Sequence, residues 1–454
     1  MTISHPLALA VPTLATDKLS PFRFGTFQDG ILLTNDQGKW HWLSQESFEK
    51  FITGHLDPEV EDYKELETKG FVRPALQLDQ YSTTIRQRKE FLGAGPTVHQ
   101  IWLDDQHGQL KIETAKAIVD HLMHSTTREL EIELIQQNKA IDHELFAFLL
   151  SYVQEKNRYE SKKLHWTLRS TLSNIDEKVA VLLRDNQFTI HVALQSSTLV
   201  GTSASQSHKQ MKENLQRLQN LAISNQKPSF FIKADCQIHK EHATDVDELL
   251  QILTEIGVRC VYINPQLYGD GALSNNDLAK LFRALLQQLL SGQYDNIVEG
   301  HTQSLLASIM RHNSQASVGY RSPNGAGLSI HSYDTAGRIF PNMQAAKLGD
   351  SMFLLGQVGE TTYQEVMQHS TVKTLTVASL VECLPGLSEH WSAPFLSVDP
   401  ISTYLHTGDL FEKMPTSPRV QSSLTRLEII FEVLLQPDSD LHTKLTQWLD
   451  TNKS

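Results

Sequence analysis

The chain has 454 residues, 40% of them apolar and 20% charged, and a formal net charge of −12. This composition excludes an intrinsically disordered chain, and the length predicts more than one domain with its own core. Lys and Arg are scattered, so the sequence has no basic footprint for nucleic acid or anionic lipid.

No membrane span or targeting signal is recognisable. The longest apolar run, residues 145–153, is too short to cross about 30 Å of hydrocarbon as a helix. The apolar start at 7–15 has no Lys or Arg before it and contains Pro12, which argues against a signal peptide. We therefore expect a cytoplasmic protein.

Residues 1–78 have the pattern of a small separate module. Three β-type runs, 22–25, 31–34 and 40–43, are separated by turn residues, and helical patterns follow. Ser44 is a candidate N-cap for the first helix. Three strands followed by two or three helices predict a winged-helix-like unit, and the polar stretch 79–96 reads as a linker.

Residues 97–310 alternate β and α patterns at intervals of about 30 residues, the length of one βα unit. Such alternation predicts a parallel sheet, open or rolled into a barrel, with any site at the carboxyl ends of its strands. Six units can be counted, and their strands are predicted at 98–103, 130–135, 164–168, 188–194, 229–234 and 258–264.

Few residues in these units have the spacing of a known catalytic site. Cys236, His239 and His242 offer three possible zinc ligands, with Asp245 or water as a fourth. The alternative is a loop with solvated histidines and a buried cysteine. The pair Asp104–Asp105, near His107, is a weaker candidate, because adjacent acidic residues in a turn are usually solvated.

Residues 311–454 are expected to form a C-terminal lobe. The stretch 319–340 predicts two short strands joined by a turn at 334–337. A helical apolar stripe from Leu424 to Leu434 follows, and the end of the chain reads as one short helix.

The stretch 384–400, with Tyr404, 408–409 and 415–417, carries the most specific resemblance. It resembles the SPASM-like segment of the radical SAM peptide maturases of the B type in the His-Xaa-Ser system. The pattern of that family is LPGCSDC, PYCG, VDPV, Y and QGD, then PTS followed by Cys. Its cysteine positions correspond here to Leu387, His390, Leu396 and Val420.

The resemblance extends upstream and covers nearly the whole chain. Residues 95–102 are similar to the entry into the first barrel strand, after which the family has a CxxxCxxC loop for its iron–sulfur cluster. Here residues 103–108 lead directly to the next helix. The GGEP turn of the family, whose backbone contacts the S-adenosylmethionine cofactor, corresponds to 136–139, which reads Gln-Gln-Asn-Lys.

The resemblance implies a partial (βα)6 barrel with an N-terminal winged-helix-like peptide-recognition module and a C-terminal SPASM-like lobe. Three scattered cysteines cannot form even one CxxxCxxC set. The expected function is that of a catalytically inactive homologue without cofactors. Its expected partners are a ribosomal precursor peptide and an active radical SAM maturase. The alternative is an enzyme of another class that uses the barrel mouth or the metal candidate described above.

Two sets of site residues follow from this interpretation. The third strand of the module is expected to lie at a sheet edge and to accept the peptide as an added strand. The lobe has apolar side chains where the family has its cluster. We expect these side chains either to form a partner interface or to fill the space that the cluster occupies in the family. The peptide-binding residues are Trp40, His41, Trp42, Tyr63, Leu66 and Lys69, and the interface residues are Leu387, Trp391, Phe395 and Leu396.

Overall fold

The computed structural model describes residues 13–451, except 138, 173–174, 201–205, 224–229, 313–317, 414–415 and 437–439. The described residues fall into two compact units. The smaller unit comes from the first 89 residues together with 308–314 and 389–395, and the larger unit comes from the remainder.

The smaller unit is built on a three-stranded antiparallel meander in the order β1, β2, β3. The Ser44 side chain accepts a hydrogen bond from the Ser47 N–H and caps the first helix, as predicted. Leu33, Leu43 and Leu66 are fully buried where the sheet meets the helices. The elements are β1 (Arg23–Phe27), β2 (Gly30–Thr34), β3 (Trp40–Ser44), α1 (Gln45–Ile52), α2 (Glu61–Thr68) and α3 (Leu78–Arg88).

Helix α3 corrects one expectation, since 79–96 was predicted as a linker. The Tyr81 hydroxyl donates to Asp36 at 3.0 Å, and Arg88 donates to the carbonyl of Pro394 at 2.7 Å. These contacts hold a polar helix against the smaller unit. Because they involve residues distant in sequence, local composition did not reveal the helix.

The larger unit contains a ten-stranded sheet with the order β12-β11-β10-β9-β8-β7-β4-β13-β14-β15. The strands from β12 to β13 in this order are parallel, and β13 to β15 are antiparallel. These strands are β4 (Val98–Trp102), β7 (Glu129–Ile135), β8 (Lys163–Arg169), β9 (Thr189–Gln195), β10 (Phe231–Ile238), β11 (Cys260–Pro265), β12 (Val298–Glu299), β13 (Ile330–Tyr333), β14 (Arg338–Phe340) and β15 (Gly356–Gln357); a separate hairpin pairs β5 (Asp104–Asp105) with β6 (Gly108–Gln109).

Helices alternate with the parallel strands, and further helices follow; all of them belong to the larger unit except the last residues of α11, from 308 onward. They are α4 (Ile112–Leu122), α5 (His143–Glu160), α6 (Glu177–Asp185), α7 (Ser196–Leu199), α8 (Gln206–Ile223), α9 (Val246–Glu255), α10 (Asn275–Leu289), α11 (Gly300–Arg311), α12 (Met343–Leu348), α13 (Tyr363–Met367), α14 (Ser370–Ser379), α15 (Pro400–Thr407), α16 (Pro418–Leu434) and α17 (Asp440–Thr451).

The two faces of the parallel sheet differ in chemistry. One face, the apolar face, carries fully buried side chains such as Ile132, Leu168, Ile190 and Val261. Parallel sheets are usually covered on both faces, and their strands are then apolar throughout. Here apolar and polar residues alternate along the strands, so the second face is left for solvent or a ligand. This second face, the polar face, carries Glu131, Glu133, Thr167, Arg169, His191, Ala193, Lys233, Asp235 and Tyr262.

The C-terminal residues are joined to this sheet. The predicted hairpin is confirmed as β13 and β14, and β13 pairs in parallel with β4. Helix α16 is fixed by Arg426, which donates to the fully buried Glu299 of β12 at 2.5 Å.

Candidate functional site

Strand β3 is an edge of the small sheet. The Asn35 N–H donates to the Lys39 carbonyl at 3.1 Å, where the hairpin closes. Hydrogen-bonded pairs alternate along an antiparallel ladder, so the next such pair is Leu33 with His41. The backbone N–H and C=O of Trp42 therefore point away from β2. Among the described residues, β3 has no second strand partner.

Helix α2 supplies polar groups beside this edge. His41 Nε2 lies 3.3 Å from Asp62 Oδ1, and His41 Nδ1 lies 3.2 Å from Lys69 Nζ. Lys69 also pairs with Glu65 at 3.0 Å and lies 5.7 Å from the centre of the Trp40 ring. Burial, followed by the charge of Lys69, lowers the pKa of His41. An incoming strand would meet both hydrogen-bonding and aromatic groups here.

The six predicted peptide-binding residues do not all line this edge. Trp40, His41, Trp42 and Lys69 are half-buried and lie at or beside β3. Tyr63 packs against the core of the smaller unit. Leu66 is a wrong assignment as a contact residue, because it is fully buried in that core.

The face of the small sheet opposite the helices is closed by the segment 389–395. The Thr34 hydroxyl donates to the Trp391 carbonyl at 2.6 Å, although the two residues are 357 positions apart. The Trp391 ring packs edge-on against Phe27 and contacts Gly25 so closely that a Cβ there would lie 2.4 Å from it. Leu32, on the same face, is fully buried.

Of the two alternatives for the apolar side chains of the C-terminal lobe, the partner interface is wrong, because all four side chains are buried. Leu387 and Phe395 are 0% and 1% exposed, and Trp391 and Leu396 are each 4% exposed. These side chains fill the interior, which was the alternative interpretation of the same residues.

The polar face carries a network of charged side chains from neighbouring strands. Arg169 donates to Glu133 at 2.8 Å and to Asp235 at 2.6 Å. Its Nη2 lies 3.0 Å from His191 Nδ1, and His191 Nε2 lies 3.1 Å from Asp235. A guanidinium only donates, so Nδ1 of His191 is the acceptor in its contact with Arg169. The network therefore contains two carboxylates and one permanent cation.

Both carboxylates of the network are ionised at neutral pH. Burial acts to raise the pKa of both groups, but it is outweighed for Glu133 by the charges of Arg169 and His191 and by hydrogen bonds from Arg169 and Gln100. For Asp235 it is outweighed by the hydrogen bond and charge of His191, followed by those of Arg169. The pKa of each group lies below its ordinary value. Gln100 also donates to Glu133 at 2.7 Å. Glu133 and Asp235 are thus fixed negative charges at neutral pH.

Three buried histidines lie away from this network. His99 and His331 are paired in register on β4 and β13, with ring centres 6.0 Å apart, and the Tyr333 hydroxyl lies 3.0 Å from His99 Nδ1. His121 of α4 packs edge-on against Tyr333. Burial lowers the pKa of His331 to about 3 and that of His121 to about 4.

Asp104, which follows β4, binds the backbone of two residues that follow β7. Asp104 is 3% exposed, and its carboxylate accepts from the Gln137 N–H at 2.7 Å and from the Lys139 N–H at 2.9 Å. Asp105 accepts from the Thr335 N–H and hydroxyl at 3.0 and 2.7 Å. The expectation of solvated carboxylates is wrong for Asp104, because backbone N–H groups satisfy it in the interior.

The zinc candidate is not assembled. Cys236 lies on the apolar face of β10, and burial raises the pKa of its thiol to about 12. His242 lies 3.2 Å from Asp245 in the turn that follows. Within the described ranges, no group of three His, Cys, Asp or Glu side chains could hold a metal ion.

No protein-family model and no curated protein matches the chain. Among solved structures, it is similar to hexahistidine-tagged anSMEcpe with bound AdoMet, with 14% identity over 79% of this chain and 99% of that chain, and a TM-score of 0.61. Native anSMEcpe with bound AdoMet and Cp18Cys peptide gives a TM-score of 0.60 at 13% identity, covering 79% and 100%. The chain has a radical SAM maturase-like fold. Streptococcus suis SuiB bound to S-adenosylmethionine gives a TM-score of 0.49 at 11% identity, covering 88% and 99%.

The cluster chemistry associated with this fold does not fit the residues present. Cys236 and Cys260 are buried thiols whose pKa values burial raises to about 12 and about 11, whereas a cluster needs thiolates within bonding reach of one another. Cys236 lies on the apolar face, Cys260 lies on the polar face, and Cys383 is exposed. We therefore derive no reaction step through a cluster. No helix among the described residues has the length and apolar character needed to cross a membrane.

The network on the polar face was not predicted from the sequence. Its signal was the alternation within each strand, for example Leu130-Glu-Ile-Glu-Leu-Ile135, in which polar residues alternate with apolar ones at the start of the strand. Alternation of this kind in a parallel sheet marks a face without a helix packed on it. Comparing the polar positions of successive strands would have brought Glu133, Arg169, His191 and Asp235 together.

Proposed function

We propose that the chain is a catalytically inactive radical SAM maturase homologue that binds a ribosomal precursor peptide and pairs with an active radical SAM maturase. The binding of the Asp104 carboxylate to the turn at 136–139 carries the proposal. In the maturases that the chain resembles, the backbone of this turn contacts the amino-acid end of the cofactor. Here two of its N–H groups already donate to a buried side chain.

Peptide binding is supported by the open edge of β3. A peptide added there would pair with the Trp42 N–H and C=O, and its side chains would lie near Trp40, His41 and Lys69. The solved neighbours with a similar fold include anSMEcpe with bound Kp18Cys and Cp18Cys peptides. We assign the precursor peptide to β3, and we assign its modification to the partner, since this chain lacks a ligand set for a cluster.

Pairing with an active maturase follows from this division of roles, and it locates the protein in the cytoplasm with the precursor peptide. The four buried apolar residues of the lobe are not the contact surface. Co-purification of the full chain with candidate radical SAM maturases from the same organism tests the pairing. A chain that elutes alone at micromolar concentrations of both proteins, with and without the precursor, would argue against it.

Hydrogen exchange of the full chain tests the peptide site. A synthetic leader segment of the precursor peptide should slow exchange within residues 38–44. Trp42→Pro removes the N–H that points to the open edge and should weaken leader binding, whereas Trp42→Ala controls for loss of the ring. Unchanged exchange at saturating leader peptide would contradict the assignment to β3.

Equilibrium dialysis with S-adenosylmethionine tests the inactive state. The wild-type chain should retain no cofactor after anaerobic reconstitution with iron and sulfide. A brown protein with about four iron atoms per chain would overturn the proposal.

A further inference from the structure

Basic side chains lie together at the start of β3, where the open edge begins. Lys39 directly precedes the strand, and Lys69 follows α2 beside it. Arg88 donates to the His312 carbonyl at 3.1 Å, and His312 Nδ1 lies 3.1 Å from the Gly38 carbonyl. Burial lowers the pKa of His312, and the charges of Lys39, Arg88 and Lys69 lower it further. The start of β3 is therefore positively charged, in a chain whose net charge is −12.

Lys39 has no acidic partner among the described residues. Its Nζ donates to the Thr68 carbonyl at 3.4 Å, which is long for a hydrogen bond. Burial lowers the pKa of Lys39 and the charge of Lys69 lowers it further, and no carboxylate in the described ranges lies near enough to raise it. Lys69 itself pairs with Glu65 at 3.0 Å, and Asp36 of the preceding hairpin is paired with the first residue of β1 at 2.6 Å. A carboxylate placed beside Lys39 would supply the counter-ion that it lacks.

The open edge of β3 identifies the ligand that can reach Lys39 as a strand. The backbone N–H and C=O of Trp42 point away from β2 and can pair with an added strand. Side chains alternate along a strand, so Lys39 and His41 lie on the opposite face from Trp42. The contacts of Lys39 with Thr68 and of His41 with Asp62 place that face beside α2. Every second side chain of an added strand would lie on this face, and one of them would lie opposite Lys39.

We propose that the peptide strand bound at β3 carries an acidic side chain, Asp or Glu, opposite Lys39. Its carboxylate is the counter-ion of Lys39, and Lys69 adds to the positive potential around it. Lys39 lies three residues before Trp42, so the acidic residue lies three positions from the peptide residue that pairs with Trp42, in a parallel or an antiparallel arrangement. The inference rests on the proposed function, because it names the side chain that the same edge selects.

Selection from a random peptide library tests this inference without the precursor. Decapeptides displayed on phage are selected on the immobilised full chain, and enriched sequences are synthesised with each Asp or Glu and with Asn or Gln in its place. Slower hydrogen exchange within residues 38–44 identifies the peptides that bind at β3. We expect these peptides to contain Asp or Glu. Its replacement by the amide should raise the dissociation constant, measured by calorimetry, about fivefold at low ionic strength and less in high salt.

Variants of the chain assign this preference to one contact. Lys39→Met removes the charge and keeps the aliphatic stem, so the acidic peptide and its amide counterpart should bind with the same affinity. Lys39→Arg keeps the charge and should retain the preference. Lys64→Met is the matched control, because Lys64 lies on α2 and pairs with the exposed Glu59 at 3.1 Å. It should also retain the preference.

The outcomes separate this inference from the proposed function. Peptides that slow exchange within 38–44 without a preference for Asp or Glu would overturn the acidic contact and leave the proposed function in place. A preference that survives Lys39→Met, or that is lost equally in Lys64→Met, would do the same. A selection without enrichment, or enriched peptides that leave exchange within 38–44 unchanged, would contradict the assignment of the peptide to β3 and this inference with it.

Discussion

The β3 edge and the charged network of the polar face both combine charged and aromatic side chains. The two regions differ in how closely their charged side chains contact one another. In the network, Arg169 contacts Glu133, His191 and Asp235, and each contact is 3.0 Å or shorter. At β3, His41 makes longer contacts, of 3.3 and 3.2 Å, to Asp62 and Lys69 beside it.

This difference separates groups that maintain the fold from groups that can bind a ligand. Removal of one partner from a buried network leaves the other partner as a buried charge without compensation. Removal of one charged group near the protein surface costs less, because water can take its place. Substitutions in the network should therefore change mainly the stability of the fold. Substitutions at the β3 edge should change mainly peptide binding, with little effect on stability.

The largest expected effect is that of Arg169→Met. The change leaves Glu133 buried without its cation, and removal of one partner of a buried pair costs about 3–5 kcal/mol. The free energy of unfolding, measured by urea denaturation and circular dichroism, should fall by that amount.

Lys163→Met is the matched control, because Lys163 lies at the other end of β8 and forms an exposed pair with Glu129 at 3.3 Å. It should change the free energy by less than about 1 kcal/mol. Equal effects of the two substitutions would show that the polar face is more hydrated than its geometry indicates.

The buried histidines predict a smaller change for each pH unit, as a loss of stability in acid. Their pKa values are lowered in the folded chain, so the unfolded chain takes up protons first when the pH falls below about 6.5. Stability is fully present above that pH and is lost as the pH falls towards 4 for His121 and 3 for His331. Each histidine contributes about 1.4 kcal/mol per pH unit within its window.

Urea denaturation at a series of pH values measures this slope. His331→Asn should flatten it, whereas His165→Asn, at an exposed position on β8, should leave it unchanged. The same slope in both variants would assign the acid sensitivity to other groups.

The smallest expected effect is at the β3 edge. Burial is the largest cause of the lowered pKa of His41, and the charge of Lys69 is the next. Lys69→Met should therefore raise the pKa of His41, as measured by an NMR titration of its ring, with a change in unfolding free energy below about 1 kcal/mol.

Lys64→Met is the matched control, since Lys64 lies on the same helix and pairs with the exposed Glu59 at 3.1 Å. It should leave the His41 titration in place. A lowered pKa of His41 after Lys69→Met would contradict the placement of Lys69 beside His41 at the β3 edge.

The sequence predicted the parts of the fold that local patterns encode. The six alternating strands, the meander with its Ser44 cap and the hairpin at 334–337 all lie where turn residues and periodicity indicated. The position of β3 at an edge was also predicted, because three strands in meander order leave the third at one side.

Contacts between distant residues were not predictable from such patterns. Helix α3 was missed because Tyr81 and Arg88 are held by Asp36 and Pro394 rather than by an apolar stripe. Asp104 was expected in solvent because no local signal places two N–H groups of a later turn against it. In the lobe, apolar composition could not distinguish an interface from an interior.

The contact of Thr34 with Trp391 has a consequence for synthesis of the chain. The segment that covers Leu32 leaves the ribosome 357 residues after the strand that it covers. At roughly 5–20 residues per second, the first sheet waits on the order of tens of seconds for this segment. During that interval an apolar surface of the nascent chain is open to chaperones and to other nascent chains. The amino-terminal sheet is thus completed only after most of the chain has been translated.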